Sequence, residues 1–289
     1  MNTFKLIPAS GISLATLLIA TSVTHGQSVL LSASDFTVLG GTAITSTGPV
    51  GTRIINGDVG LSPGATSGIT GFPPAVIENG EKVATGPVTS QARLDVIKLS
   101  AALALMPSDE NLSNLDLAGM TLSPGVYTFN GAAALTGALI LDGEGRADAF
   151  WVFQISSDLN TSLNATVTLI NPGFDNGAGY GLFWNAGGAV NIGTGNTVAG
   201  NYISGTSVVF GGGSSGGGRA LALAGVTLDT TVLNAFGGPA GGDWSGGLEY
   251  NQNGEIVPVS AIPEPASAAA LAGAALLGFA ALRRRRVVA

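Results

Sequence analysis

Between Leu139 and Leu228 the apolar residues fall in short clusters rather than helical stripes. They are Leu139-Ile140-Leu141, Phe150-Trp151-Val152-Phe153, Val167-Thr168-Leu169-Ile170, Gly181-Leu182-Phe183-Trp184, Ala189-Val190-Asn191-Ile192, Tyr202-Ile203, Val208-Val209-Phe210, Leu221-Ala222-Leu223 and Val226-Thr227-Leu228. Gly, Asn, Asp and Ser separate them, so the pattern predicts many short strands joined by tight turns. Small residues at the corners favour strands stacked as coils of a solenoid, with a β-sandwich as the runner-up. One segment has another period. Ala92, Val96, Leu99, Leu103 and Met106 recur at steps of four and three, Thr89 or Ser90 can cap the start, and Pro107 stops the run. This predicts one amphipathic helix over about 90–106, whose apolar face Leu94, Ile97, Ala101, Ala104 and Leu105 widen, buried against the sheet surface.

The two ends read as addresses. Lys5 precedes an apolar stretch from Leu6 to Ala20 and a polar, small-residue run through Gly26, the layout of a secretory signal peptide over residues 1–26. Pro8, Gly11 and the Ser/Thr run fit a buried helix poorly. At the other end, Pro263-Glu264-Pro265 is followed by an uncharged run from Ala266 to Leu282 and by Arg283-Arg284-Arg285-Arg286. As a helix that run would measure about 25 Å, near the lower limit for crossing a bilayer, with the arginines held on the cytoplasmic side. This tail, residues 261–289, resembles the PEP-CTERM sorting signal, which implies a sorting protease as partner, a transient membrane anchor, and delivery to the cell surface or release. The working domain is then 27–260, outside the cytoplasm.

Charge and composition narrow the chemistry. Of the 11 basic and 18 acidic residues, Lys5, the four terminal arginines and Glu264 lie in the end segments. That leaves 6 basic against 17 acidic in the domain, a formal charge of −11, which disfavours nucleic acid and anionic membranes. There is no Cys, and the single His, His25, falls in the segment expected to be cleaved. Triads built on His or Cys and zinc sites with nitrogen or sulfur ligands are therefore excluded from the domain, and no cofactor or metal is called for. Two carboxylates would suffice for a glycosidase, but the acidic residues are scattered through turns such as Asp142-Gly143-Glu144, so the chain does not read as an enzyme.

Several motifs occur together and in order: Asp35-Phe36-Thr37-Val38-Leu39, Ile55-Asn56-Gly57-Asp58-Val59-Gly60, Ser62-Pro63-Gly64, Leu122-Ser123-Pro124-Gly125-Val126-Tyr127, Leu141-Asp142-Gly143-Glu144-Gly145, Phe150-Trp151-Val152-Phe153, Phe183-Trp184-Asn185 and Gly218-Arg219-Ala220-Leu221-Ala222. In this the domain resembles the microbial ice-binding-like family. The resemblance implies a mainly β fold: an irregular right-handed β-helix of triangular cross-section with one long α-helix packed along it. It also implies one flat face carrying Thr-Ala/Gly-x-Thr/Asn motifs from coil to coil. Thr194-Gly195-Asn196-Thr197 matches that motif and Thr161-Ser162-Leu163-Asn164 matches with Ser second, whereas Gly212-Gly213-Ser214-Ser215 departs from it. The candidate ice-contacting residues are accordingly Thr161, Asn164, Thr194, Asn196, Thr197 and Ser215, and Thr45, Thr47 and Thr52 in the opening coil are candidates to extend the array. The implied partner is an ice crystal surface, met with modest activity against recrystallisation. The alternative is an adhesive or structural module of the cell surface or matrix, associated with exopolysaccharide.

Overall fold

The structure is a computed structural model and describes residues 28–173, 179–238 and 241–259. The expected signal peptide and sorting tail lie outside the described residues. Among the described residues no helix is long and apolar enough to cross a membrane.

The predicted clusters become strands of three to eight residues, nearly all parallel. Strands such as Val190–Ile192 and Val208–Phe210 bury their first and third residues and turn the middle one outward, as the pleat requires. Three strand runs joined at corners make one coil, and successive coils occupy 125–142, 150–170, 181–199, 201–217 and 219–234. The stacking order departs from the chain order. The first coil, 36–55, lies on the last, with Val38 beside Ala220, Thr45 beside Thr227 and Ile54 beside Leu233. The second coil, 58–78, continues the stack beyond it.

Side chains turned inward fill the solenoid. An aromatic ladder runs through four coils: Tyr127 on Phe153 at 5.6 Å, Phe153 on Trp184 at 4.1 Å, Trp184 on Tyr202 at 5.9 Å, closed by Phe210 edge-on at 5.8 Å. Parallel in-register pairing places these rings one above another. Trp184 also donates its indole N–H to the Ala199 carbonyl at 3.0 Å.

One of the three faces is buried on both sides, because the helix Pro87–Ala104 lies over it. The helix starts three residues before the predicted cap. Gly86 stands at the N-cap without a side-chain cap, and Pro87 occupies the first turn, where its fixed φ suits the helix and no N–H is missed. Ala92, Val96, Leu99, Leu103 and Met106 are buried as their spacing requires. The expected widening of the apolar face is corrected: Leu94 is 58%, Ile97 40% and Leu105 84% exposed, because a single flat sheet can cover only a narrow stripe of a cylinder.

Polar contacts fix the helix to particular coils. Arg93 donates to the Leu223 carbonyl at 2.9 Å, Asn185 exchanges hydrogen bonds with Ser100, and Gln154 donates to the Leu103 and Met106 carbonyls at 2.7 and 2.8 Å. Ten residues of helix rise about 15 Å, and the three coil steps from 219–222 back to 150–155 cover about 14 Å. The two repeats therefore match over this length. Leu103 is in the last turn, where carbonyls lack an intrahelical donor, and Met106 lies just past the C-cap, so Gln154 secures the end of the helix. Gln154→Ala is expected to cost about 1–2 kcal/mol, seen as a lower urea midpoint at unchanged slope.

A buried guanidinium ties together the segments that flank the coils. Arg219, 1% exposed, donates to the Asp243 carbonyl and carboxylate, to the Asn201 side chain and to the Ser34 carbonyl. Burial lowers its pKa against the opposing pull of Asp243. The contact holds the segment after the last coil against the segment before the first. As expected of a corner, Asp142 accepts the Glu144 N–H at 2.9 Å, and Glu144 adopts a positive φ.

Candidate functional site

Of the two faces the helix leaves open, one is a seven-stranded parallel sheet whose register crosses all seven strands without a shift. Its inward row is Ile69, Ile44, Val226, Val208, Val190, Leu159 and Ala133, all buried. Alternation then dictates the outward row: Thr70, Thr45, Thr227, Val209, Asn191, Asn160 and Ala134. These side chains are short, and strand spacing sets them about 4.8 Å apart. The seven strands carry no Lys, Arg or Glu, and their single Asp is Asp229 at the end of Gly225–Asp229. The Asn191 amide donates to Asn160 at 2.9 Å, and the hydroxyls of Thr70 and Thr45 stand 3.4 Å apart.

The other open face differs. Its outward row runs Ala138, Thr166, Thr197, Ser215, Val232, Arg53 and Val76. The long Arg53 and Glu78 side chains pair across it at 2.7 Å, and Gly237 packs directly on Gly217, so the segment after the last coil covers part of it.

The residues singled out from the sequence lie at and beyond the corner between these faces. Thr194 and Asn164 are exposed on the corner turns, and the Asn164 N–H donates to the Thr194 carbonyl at 2.9 Å, tying one coil to the next. That main-chain bond leaves both side chains facing solvent. Thr161 is half-buried, its hydroxyl accepting the Gly193 N–H at 2.9 Å and an amide proton of Asn196. Thr197 and Ser215 are exposed and in register, but on the second face. Two expectations are corrected. Asn196 is 3% exposed, because its side chain turns into the corner to serve Thr161 and the Ala165 N–H. Thr52 is fully buried and accepts the Thr231 N–H. Thr45 and Thr47, in contrast, do stand on the outer side of the seven-stranded sheet. Asn196→Ala strips the corner of both bonds and is expected to cost about 1–2 kcal/mol in thermal or chemical unfolding.

Sequence reasoning missed Thr227, Thr70, Asn160, Asn191 and Val209 as surface candidates. A usable signal was present: three of them are the middle residues of apolar-x-apolar triplets, Val226-Thr227-Leu228, Val190-Asn191-Ile192 and Val208-Val209-Phe210.

The chain's similarities agree with this geometry. A family model described as Ice-binding-like matches residues 38–234. An ice-binding protein of Nostoc sp. (strain HG1) is 37% identical, over 90% of this chain and 87% of that one. Among solved structures, an ice-binding protein from an Antarctic biological consortium aligns at 29% identity and a TM-score of 0.64, over 80% of this chain and 96% of that one. An ice-binding protein from the Antarctic ascomycete Antarctomyces psychrotrophicus aligns at 31% identity and a TM-score of 0.63, over 70% and 95%. With 37% identity across nine-tenths of its length and a family match through all the coils from 38 to 234, the chain belongs to the ice-binding-like family.

Proposed function

We propose that the protein binds ice through the seven-stranded face, without catalysis, and that Thr194, Asn164 and the outward part of Thr161 extend the contact over the adjoining corner, with Thr197 and Ser215 beyond it. The observation that carries this is the outward row from Thr70 to Ala134: short side chains at strand spacing, on a backbone locked by parallel pairing, with no long charged side chain among them. Such a surface can hold water in a fixed pattern, and because it is already rigid it loses little entropy on binding. The names of the relatives point the same way.

The test is inhibition of ice growth and recrystallisation by the purified exported protein, with Thr194→Tyr as a probe of the corner. Wild type is expected to inhibit both, and Thr194→Tyr to weaken the effect in part. Ice that grows unchanged in the presence of wild type sinks the proposal. We infer in addition that the protein is exported and sorted through its end segments. The expected observation is an extracellular form whose mass corresponds to cleavage near Gly26 and near Pro263-Glu264-Pro265.

A further inference from the structure

The outward row of the seven-stranded face has two chemically different halves. At one end Thr70, Thr45 and Thr227 follow one another on adjacent strands, and Thr47 stands two residues along from Thr45 on the same side. These four side chains form a two-dimensional grid, about 4.8 Å across the strands and about 6.6 Å along one. Each is β-branched and therefore stiff at χ1, so each methyl and hydroxyl has a nearly fixed position. At the other end Asn191 and Asn160 are tied to each other through their amides at 2.9 Å, and Ala134 follows. An amide offers no methyl, and the bond within this pair is shorter than the 3.4 Å contacts that the Thr70 and Thr47 hydroxyls make with the Thr45 hydroxyl and the Leu228 carbonyl. Val209 lies between the halves, beside Asn191 on one strand and Thr227 on the other. The carboxylate of Asp229, next to Thr47, accepts the Thr230 hydroxyl and bounds the grid.

We infer that ice contact is concentrated in the threonine end of the face, at Thr70, Thr45, Thr47 and Thr227, and that it weakens beyond Val209. The inference rests on the proposal that this face binds ice, and it assigns most of the contact to the two N-terminal coils and the last coil and a lesser share to the coils bearing the Thr-x-x-Asn and Thr-x-x-Thr motifs.

The experiment compares the exported wild-type protein with Thr45→Tyr, Asn160→Tyr and Val209→Thr in thermal hysteresis and in partition into growing ice, with circular dichroism melting to establish that each variant is folded. All three positions face solvent in strands, where the new residues are at home. Thr45→Tyr is expected to lower the affinity for ice about tenfold or more, and Asn160→Tyr by less than about twofold, since it lies three strand spacings, about 14 Å, from Thr227. Val209→Thr adds a fourth threonine to the row on adjacent strands and is expected to raise activity above wild type. Equal losses from the two tyrosines would overturn the inference in favour of the whole face, and loss from Asn160→Tyr alone would reverse it. An active wild type that neither tyrosine disturbs removes the face, and the inference with it. An inactive wild type instead defeats the ice-binding proposal itself.

Discussion

Thr227→Tyr is expected to lower ice affinity about tenfold or more while leaving stability within about 0.5 kcal/mol of wild type. Thr227 is flanked on its face by Val209 and Thr45, with its backbone held between two parallel strands. A tyrosine ring there stands above every neighbour in the row, and a rigid sheet cannot fold around it. Recognition of a flat solid by a flat protein depends on many weak contacts made at once, and a gap of even 0.5–1 Å forfeits about a quarter to a half of each dispersion contact. The strand itself loses nothing, because Val226 and Leu228, which anchor it in the core, are untouched and tyrosine suits a strand. The measurement is thermal hysteresis beside a melting curve. Retained activity at an unchanged melting temperature would show that ice meets another surface, and the face crossed by the Arg53 and Glu78 pair would then be the next to examine.

The parts of this arrangement that were legible in the sequence are those with a local cause. Apolar triplets with a polar centre are strands with one outward residue, and Val190-Asn191-Ile192 folds as that pattern requires. The core positions of the helix, from Ala92 to Leu103, follow from their spacing, as does the burial of Met106 just beyond its end. Where the helix begins was obscured because Thr89 and Ser90 both look like caps, while the Gly86-Pro87 pair sets the start. The motif residues were placed less well for a physical reason. Thr194-Gly195-Asn196-Thr197 spans a corner, where strand alternation stops, so Asn196 points inward between two residues that point out. Thr45 and Thr47 are legible as candidates, but the grid they form with Thr70 and Thr227 is not, for another reason. Thr45 and Thr227 are far apart in sequence and become neighbours only because the last coil lies on the first, and no local pattern states which coil follows which.

Trp184→Ala is expected to destabilise the protein by about 3–5 kcal/mol, against a total stability on the order of 5–15 kcal/mol. Trp184 is the centre of the aromatic ladder, 4.1 Å from Phe153 and 5.9 Å from Tyr202, and is 1% exposed. Its removal opens a cavity that the ladder cannot collapse to fill, since the rings above and below are fixed by parallel strands on both sides. It also leaves the Ala199 carbonyl without the indole donor. At about 2–4 °C per kcal/mol for a domain of this size, the melting temperature should fall by roughly 6–20 °C. Trp184→Phe is the milder change, because it keeps one ring of the stack and loses the N–H and the second ring, at an expected cost of about 1–3 kcal/mol. The consequence reaches the seven-stranded face. The strand carrying Trp184, Gly181–Ala186, leads directly into the strand Val190–Ile192, so the ladder and the inward row Val190, Val208 and Val226 share one core. A face that must keep its side chains in fixed positions depends on that core remaining close-packed. Ice affinity of Trp184→Ala should therefore fall at temperatures well below its melting point, and full affinity in a destabilised variant would show that the face holds its shape without the ladder beneath it.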